Sequence, residues 1–439
     1  MNIVTAISDQ RKLLLLALPM ILSNITTPLL GMVDTAVIGH LEHAYYLGGI
    51  AIGSMIISIL FWLAGFLRMS TTGVAAQCFG NNDSEQAWRY FFHSMMIALV
   101  IAMALIVFQA PLIGGIFSLI DASDDVLFYA DEYFSIRIYS APAALTNLVF
   151  LGFFVARQEV RWVVYQLFTV NVINIALDLL FVLYFEWGVS GAALASVIAD
   201  YCGSLLLFFV LLPQVKRLNW RSLIVPQRPL FSRLFSLNRD IFVRSLALQL
   251  CLAFVTVKGA ELGDVTVAAN AILLNLFMFA SYGLDGFAYA AESLVGEAKG
   301  AGNPDSLHQV VISSAIFSGM VGMAFALILL CWGDLWIMFL TDISAVQTVA
   351  ISYLPWLIII CAIGWVTFLM DGVYIGLTRS REMRNSMLLS ALTFFVVWWF
   401  AQSMANHGLW LAFLCFMLMR GLSLTWDYVR LKQQLKLTA

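Results

Sequence analysis

The segment Pro19-Met20-Ile21-Leu22-Ser23-Asn24-Ile25-Thr26-Thr27-Pro28-Leu29-Leu30-Gly31-Met32-Val33-Asp34-Thr35 has the apolar character of a membrane-crossing helix, yet it carries a carboxylate, Asp34. A charged group in hydrocarbon costs about 3 kcal/mol on insertion scales, so such a group faces a protein interior or an aqueous path. Asn24, Thr27, Gly31 and Asp34 recur at steps of three, four and three, which places them on one helical face. Asn171, Asn174 and Asp178 repeat that pattern at steps of three and four. Ser196 and Asp200 follow at i, i+4, beside the small residues Gly191, Ala192, Ala195 and Ala199. The interiors of these three segments contain no Lys or Arg. Desolvation and mutual repulsion disfavour the ionised form of a carboxylate, so Asp34 and Asp178 are suited to taking up and releasing a proton. The same oxygen-rich grouping also suits a sodium ion.

Structural roles compete with this reading. A single Asn or Thr in a span ordinarily makes a helix–helix hydrogen bond. Asp200 could pair with Arg68 or Arg137. The later part of the chain adds Lys258, Asp285 and Glu292 (the last two seven apart, on one face) and Asp371, flanked by Thr367 and Tyr374. Lys258 could neutralise Asp285 or Asp371; alternatively these residues form a second ion or substrate site, with sodium at Asp371. Pro19 and Pro28 each remove a backbone hydrogen bond from the Asp34 helix. That helix could therefore switch between straight and bent forms if the proton binds the two with different affinity.

The elements that must position these groups follow from composition. Of 439 residues, 62% are hydrophobic and 11% charged, against about 25% charged in a soluble domain. A chain this apolar has the bilayer as its solvent. Net charge is −3 and no basic patch of the nucleic-acid-binding kind stands out. Twelve spans are expected near 13–39, 47–72, 88–113, 130–156, 161–185, 189–213, 238–260, 267–295, 307–331, 348–376, 385–404 and 408–429. The apolar run Leu13–Ile38 is longer than a signal-peptide core, which is about 7–15 residues.

Lys and Arg concentrate in alternate loops: Arg11 and Lys12; Arg89; Arg157 and Arg161; Lys216 to Arg239; Lys299; Arg379 to Arg384; and Arg430 to Lys436. The opposite loops hold acids, with Arg137 and Lys258 the marginal exceptions. Both termini are therefore expected on the cytoplasmic side of the plasma (inner) membrane. By the same hydropathy reading, Asp34 lies five residues before Gly39 at the outer end of its span, about 7–8 Å down the helix. Asp178 and Ser196 lie at a similar level, and Tyr133 and Tyr139 enter the fourth span from outside.

A basic stretch at 214–237 divides the spans six and six, giving an N-terminal lobe at 1–213, a cytoplasmic linker and a C-terminal lobe at 238–439. The halves echo each other at a shift near 220 residues: Gly39 with Gly259, Ala51 with Ala271, Gly80 with Gly300, Gly188 with Gly408 and Ala192 with Ala412. Gly152 and Gly376 match at a slightly different shift. Six spans precede the second copy, so both copies share one orientation. The fold class is thus all-α and polytopic, with twelve helices in two pseudo-symmetric six-helix lobes. The six cysteines show no CxxC or Cys/His spacing and read as small buried hydrophobes. His40, His43, His93, His308 and His407 show no metal-protease or clustered spacing. No enzyme, cofactor or resident metal is expected.

Leu18-Pro19, the run Val33-Asp34-Thr35-Ala36-Val37-Ile38-Gly39, the Gly80 loop and the duplicated twelve-span plan resemble the multidrug and toxic compound extrusion (MATE) family. Asn174-x-x-x-Asp178, Leu284-Asp285-Gly286 and Asp371-Gly372 resemble its DinF-like branch. The resemblance spans essentially the whole chain. It implies a monomeric antiporter whose two lobes flank a cleft opening alternately to each side and expel amphipathic, often cationic compounds. It further implies that Asp34 is the proton site, that Asn174, Asp178 and Ser196 join its hydrogen-bond network, and that Pro19 marks the bend. Tyr133 or Tyr139 supplies a tyrosine to that network, with Asn171, Asp200 and Thr27 nearby. Ser196 stands where the family often has Thr, and it keeps the hydroxyl. Coupling to sodium, and flipping of a lipid or lipid-linked precursor, are the rival activities on the same scaffold.

Overall fold

In the computed structural model, residues 10–24, 44–120 and 122–437 are described, and among them every regular element is helical. Asp34 and Thr27, with Pro28 and Gly39, lie outside the described residues. The elements are α1 (10–24), α2 (Ala44–Leu63), α3 (Phe66–Gly80), α4 (Ser84–Val107), α5 (Gln109–Phe117), α6 (Asp124–Arg137), α7 (Ala141–Ala156), α8 (Val160–Asp178), α9 (Gly188–Val215), α10 (Trp220–Leu223), α11 (Arg228–Glu261), α12 (Asp264–Gly300), α13 (Pro304–Leu340), α14 (Ser344–Gly376), α15 (Ser380–Phe400) and α16 (Asn406–Leu437). With α2 and α3 continuous through a short turn, and α6 and α7 likewise, eleven helical stretches among the described residues are long and apolar enough to cross a membrane. They coincide with the second to twelfth expected spans. The described part of the first, α1, is helical on both sides of Pro19.

Two compact units emerge. The first gathers the described parts of Met1–Ile21, Ala76–Asn82 and Ser236–Ala439; the second gathers those of Leu22–Ala75 and Asp83–Phe235. Within the second unit α6 packs on α2, α4 on α7, α8 on α9, and both α6 and α7 on α9. Within the first unit α14 packs on α12, α13 and α16, and α15 on α16. Counted as spans, both units share four pairings: the second against the fourth, the third against the fourth, the fourth against the sixth, and the fifth against the sixth; the first unit adds α12 on α13. The duplicated sequence thus folds into duplicated packing. The first unit's core is aromatic, with Phe277, Phe394, Trp410, Phe413 and Phe416 buried together.

The matched glycines have a packing reason. A Cβ at Gly80 would strike the carbonyl oxygen of Glu297, and a Cβ at Gly300 would strike that of Gln77. Residues 77 and 297 are themselves one repeat apart, so the end of α3 and the end of α12 cross reciprocally, each glycine lying on the other's backbone. Gly152 lies on the Arg68 carbonyl in the second unit and Gly376 on the Glu292 carbonyl in the first, a second matched pair. Around the first crossing, Gln77 Nε2 donates to Gly376 O at 2.8 Å, and Lys12 Nζ lies 2.9 Å from Glu297 Oε2.

Two local breaks and a tethered linker shape the second unit. Between α6 and α7 the chain tightens into a 3₁₀ turn, Ile138–Ser140, and Pro142 sits in the first turn of α7. The missing amide proton of Pro142 is tolerated there because first-turn amides have no intrahelical partner. After Asp178 the helix widens into a π-helical stretch, Leu179–Tyr184, ended by Glu186 and Gly188, both at positive φ. The basic linker is tied to α4: Arg89 Nη1 donates to Ser222 O at 3.3 Å, and Gln227 N donates to the buried His93 Nε2 at 3.1 Å.

Candidate functional site

The face of α8 predicted from spacing is the face the fold buries. Asn174 and Asp178 are 2% and 3% exposed, and Asn171 is half-buried. They meet α9, whose Gly191 lies against Phe181 and whose Ala195 and Ala199 are buried. Small residues there allow the two helices to approach closely enough for a polar side chain to bridge them. Asn174 Nδ2 donates to Ser196 Oγ at 3.1 Å, while Asn174 Oδ1 has no hydrogen-bond partner among the described residues. Asp178 stands one turn beyond Asn174, where the α-helical backbone gives way to the π-helical stretch. Such insertions recur at functional sites because they re-aim the side chains beside them. Gln166 shares this face and is buried, a member not anticipated from spacing.

A second polar group lies at the break of the fourth span. Arg137 Nη1 is 2.8 Å from Asp200 Oδ2, with both side chains largely buried. This settles the partner of Asp200 and explains why an arginine occurs on an otherwise acidic side: it is held within the helix packing. Arg137 also donates to Ser140 Oγ and stacks over Phe61 at 5.5 Å. Asn147 Nδ2 donates to the Asp200 carbonyl at 3.2 Å, and Thr146 and Ser204 hydroxyls meet at 3.2 Å. Tyr133 is buried in contact with Arg137. Tyr139, by contrast, projects outward, 51% exposed, with its carbonyl accepting from Tyr201 Oη at 3.0 Å. Tyr133 lies on α6 and Tyr139 within the 3₁₀ turn that follows it, and six residues apart their side chains leave the helix axis in different directions.

The first unit corrects the pairing expected for Lys258. Its ammonium lies 2.7 Å from Glu261 Oε2, three residues on along α11, and 5.4 Å from the Trp398 ring centre. Neither Asp285 nor Asp371 is its partner, because an acid on its own helix is nearer. Asp371 instead accepts on one oxygen from both Arg244 and Arg420, whose side chains are 6% and 5% exposed. A carboxylate held by two guanidiniums repels a further cation, which weighs against sodium at Asp371. Arg244 and Arg420 had not been singled out, although a buried arginine in a span is as strong a signal of a partner as a buried aspartate. Glu292 is buried, and Asp285 acts electrostatically on Arg420. Among the described residues no group of His, Cys, Asp and Glu could hold a metal ion.

These features define a polytopic all-α membrane protein, duplicated in tandem, with buried carboxylates inside its helical bundles. The MatE family model matches the chain twice, over residues 19–180 and 241–400, and the chain belongs to that family of multi-pass membrane efflux transporters. It is 42% identical over 420 residues to DNA damage-inducible protein F of Escherichia coli (strain K12), covering 95% of this chain and 91% of that protein. It is 21% identical over 272 residues to the multidrug export protein MepA of Staphylococcus aureus (strain NCTC 8325 / PS 47), covering 60% of this chain and 58% of that protein. Among solved structures, a MATE crystallised in the bent conformation superposes with a TM-score of 0.90 at 18% identity, covering 98% of this chain and 97% of the other.

Proposed function

We propose that this chain is a proton-coupled antiporter of the inner membrane that exports amphipathic, often cationic compounds. The observation that carries this reading is Asp178, buried one turn from the Asn174–Ser196 hydrogen bond in spans whose interiors contain no Lys or Arg. Asp34 stands at the same expected depth on the first span. In this mechanism protons arriving from outside neutralise Asp34 and Asp178. The first span bends at Pro19, the cavity of the N-terminal lobe (1–213) shrinks, and the substrate leaves. The chain returns inward across its 214–237 linker and releases the proton to the cytoplasm, where both termini lie. One chain carries out the cycle, without a cofactor and without chemistry on the substrate.

Family membership supports export, and the name of the MepA relative supports drugs as the exported class. Relatives of this fold solved in a bent and in a straight conformation support a protein with more than one conformation. The doubly paired Asp371 supports placing the coupling carboxylates in the first lobe. The test is export by reconstituted vesicles under an imposed pH gradient with sodium equal on both sides. The wild type is expected to pump and Asp34→Asn to fail. Pumping driven by a sodium gradient at fixed pH, or normal pumping by Asp34→Asn, overturns proton coupling at this site.

A further inference from the structure

On α9, Ser196 faces α8, but Leu194 and Val197 face another way, about 130° round the helix from Ser196. There they wall a cavity of about 980 Å³ that α5 and α6 complete. Its floor is apolar and aromatic, with Ile113, Phe117 and Phe134. Tyr139, one of the two tyrosines offered for the Asp34 network, lines this cavity. Polar groups enter at Gln109, Ser135 and Asp131. Asp131 is the one charged residue among the described lining residues; it is exposed and forms no ion pair among the described residues. Arg137, the nearest arginine along α6, is turned to Asp200. Gly114 opens the wall further, because a Cβ there would meet nothing within 4 Å.

We propose that this cavity is a second binding site, separate from the Asn174–Asp178–Ser196 network, for a drug-sized amphipathic organic cation. The volume falls in the range of small-molecule pockets, about 300–1,000 Å³. Phe117 and Tyr139 offer accessible aromatic surface that attracts a cation as well as apolar area. Asp131 supplies the single uncompensated charge, so the site selects cations and rejects anions of the same shape. The proposal shares the substrate class of the exporter reading above and concerns a different place on the protein.

The test uses full-length protein in phosphatidylcholine nanodiscs with no ion gradient, so that its outcome is independent of pumping. Ser135→Cys places a thiol in the wall, and its labelling by N-ethylmaleimide is followed on its own peptide by mass spectrometry. At a concentration about ten times its Kd, tetraphenylphosphonium should slow that labelling about tenfold. Tetraphenylborate, nearly the same shape with the opposite charge, should not. Adding Asp131→Asn should abolish the difference between the probes, and adding Gly114→Leu should remove protection by filling the space. Equal protection by both probes overturns the proposal, as does no protection by either or protection unchanged in Asp131→Asn. Intact protection in an Asp34→Asn background that no longer pumps separates this site from the coupling site.

Discussion

Replacing Asp371 by Asn should be the most damaging single change in the charge cluster of the first unit. In the native protein one carboxylate serves two buried guanidiniums, Arg244 and Arg420. Asp371→Asn leaves those two like charges facing each other with only a neutral amide oxygen between them, whereas Arg420→Gln leaves a balanced Arg244–Asp371 pair. Breaking a buried ion pair by removing one partner costs about 3–5 kcal/mol. Asp285 also acts on Arg420 at longer range, so the lower end of that span applies. At roughly 2–4 °C per kcal/mol, a cost of about 3 kcal/mol lowers the melting temperature by roughly 6–12 °C. The order of stability in detergent, read by the heat-dependent loss of the monodisperse peak, should be wild type, Arg420→Gln, the double variant Asp371→Asn with Arg420→Gln, then Asp371→Asn. The double variant outranks Asp371→Asn because removing one guanidinium relieves the repulsion created by losing the acid. If the double variant is simply the sum of the singles, or Arg420→Gln is the worst, the three groups do not form the unit described.

The reciprocal crossing predicts that Gly80→Ala and Gly300→Ala each lower stability by about 1–3 kcal/mol through overpacking against a backbone carbonyl. Gly115→Ala in α5, where an added Cβ meets nothing within 4 Å, should be neutral or stabilising by about 0.5–1 kcal/mol; thermal melts of the three variants check this contrast. Ser196→Ala should destabilise by about 1–3 kcal/mol by leaving the buried Asn174 amide without its acceptor. Ser196→Thr keeps the hydroxyl and should restore both stability and the wild-type pH dependence of export.

Much of this architecture was legible in the chain. Hydropathy located eleven of the helices because a run of apolar residues long enough to span has few other uses. The repeat was visible in Gly80 and Gly300 because no other residue fits where two helix backbones touch. The face Asn171, Asn174, Asp178 followed from helical spacing alone, and its burial confirms the period. The partners of charges were harder to read. Arg244 and Arg420 vanish in a hydropathy average, since one arginine barely lowers the mean of a long apolar helix. Charge alone offers Lys258 partners across the bundle, whereas Glu261 lies one turn away on its own helix. The three-residue 3₁₀ turn that holds Tyr139 and the widening after Asp178 both depend on backbone angles, and hydrophobic pattern records neither.

In the proposed cycle a proton and the exported compound compete through the carboxylates of the first lobe. Proton release on adding tetraphenylphosphonium to purified protein in weakly buffered solution measures that competition without a membrane. The wild type should release protons as the cation binds, and Asp34→Asn, still able to bind, should release far fewer. Equal release from the two proteins, or binding by the wild type with no release, would contradict the account.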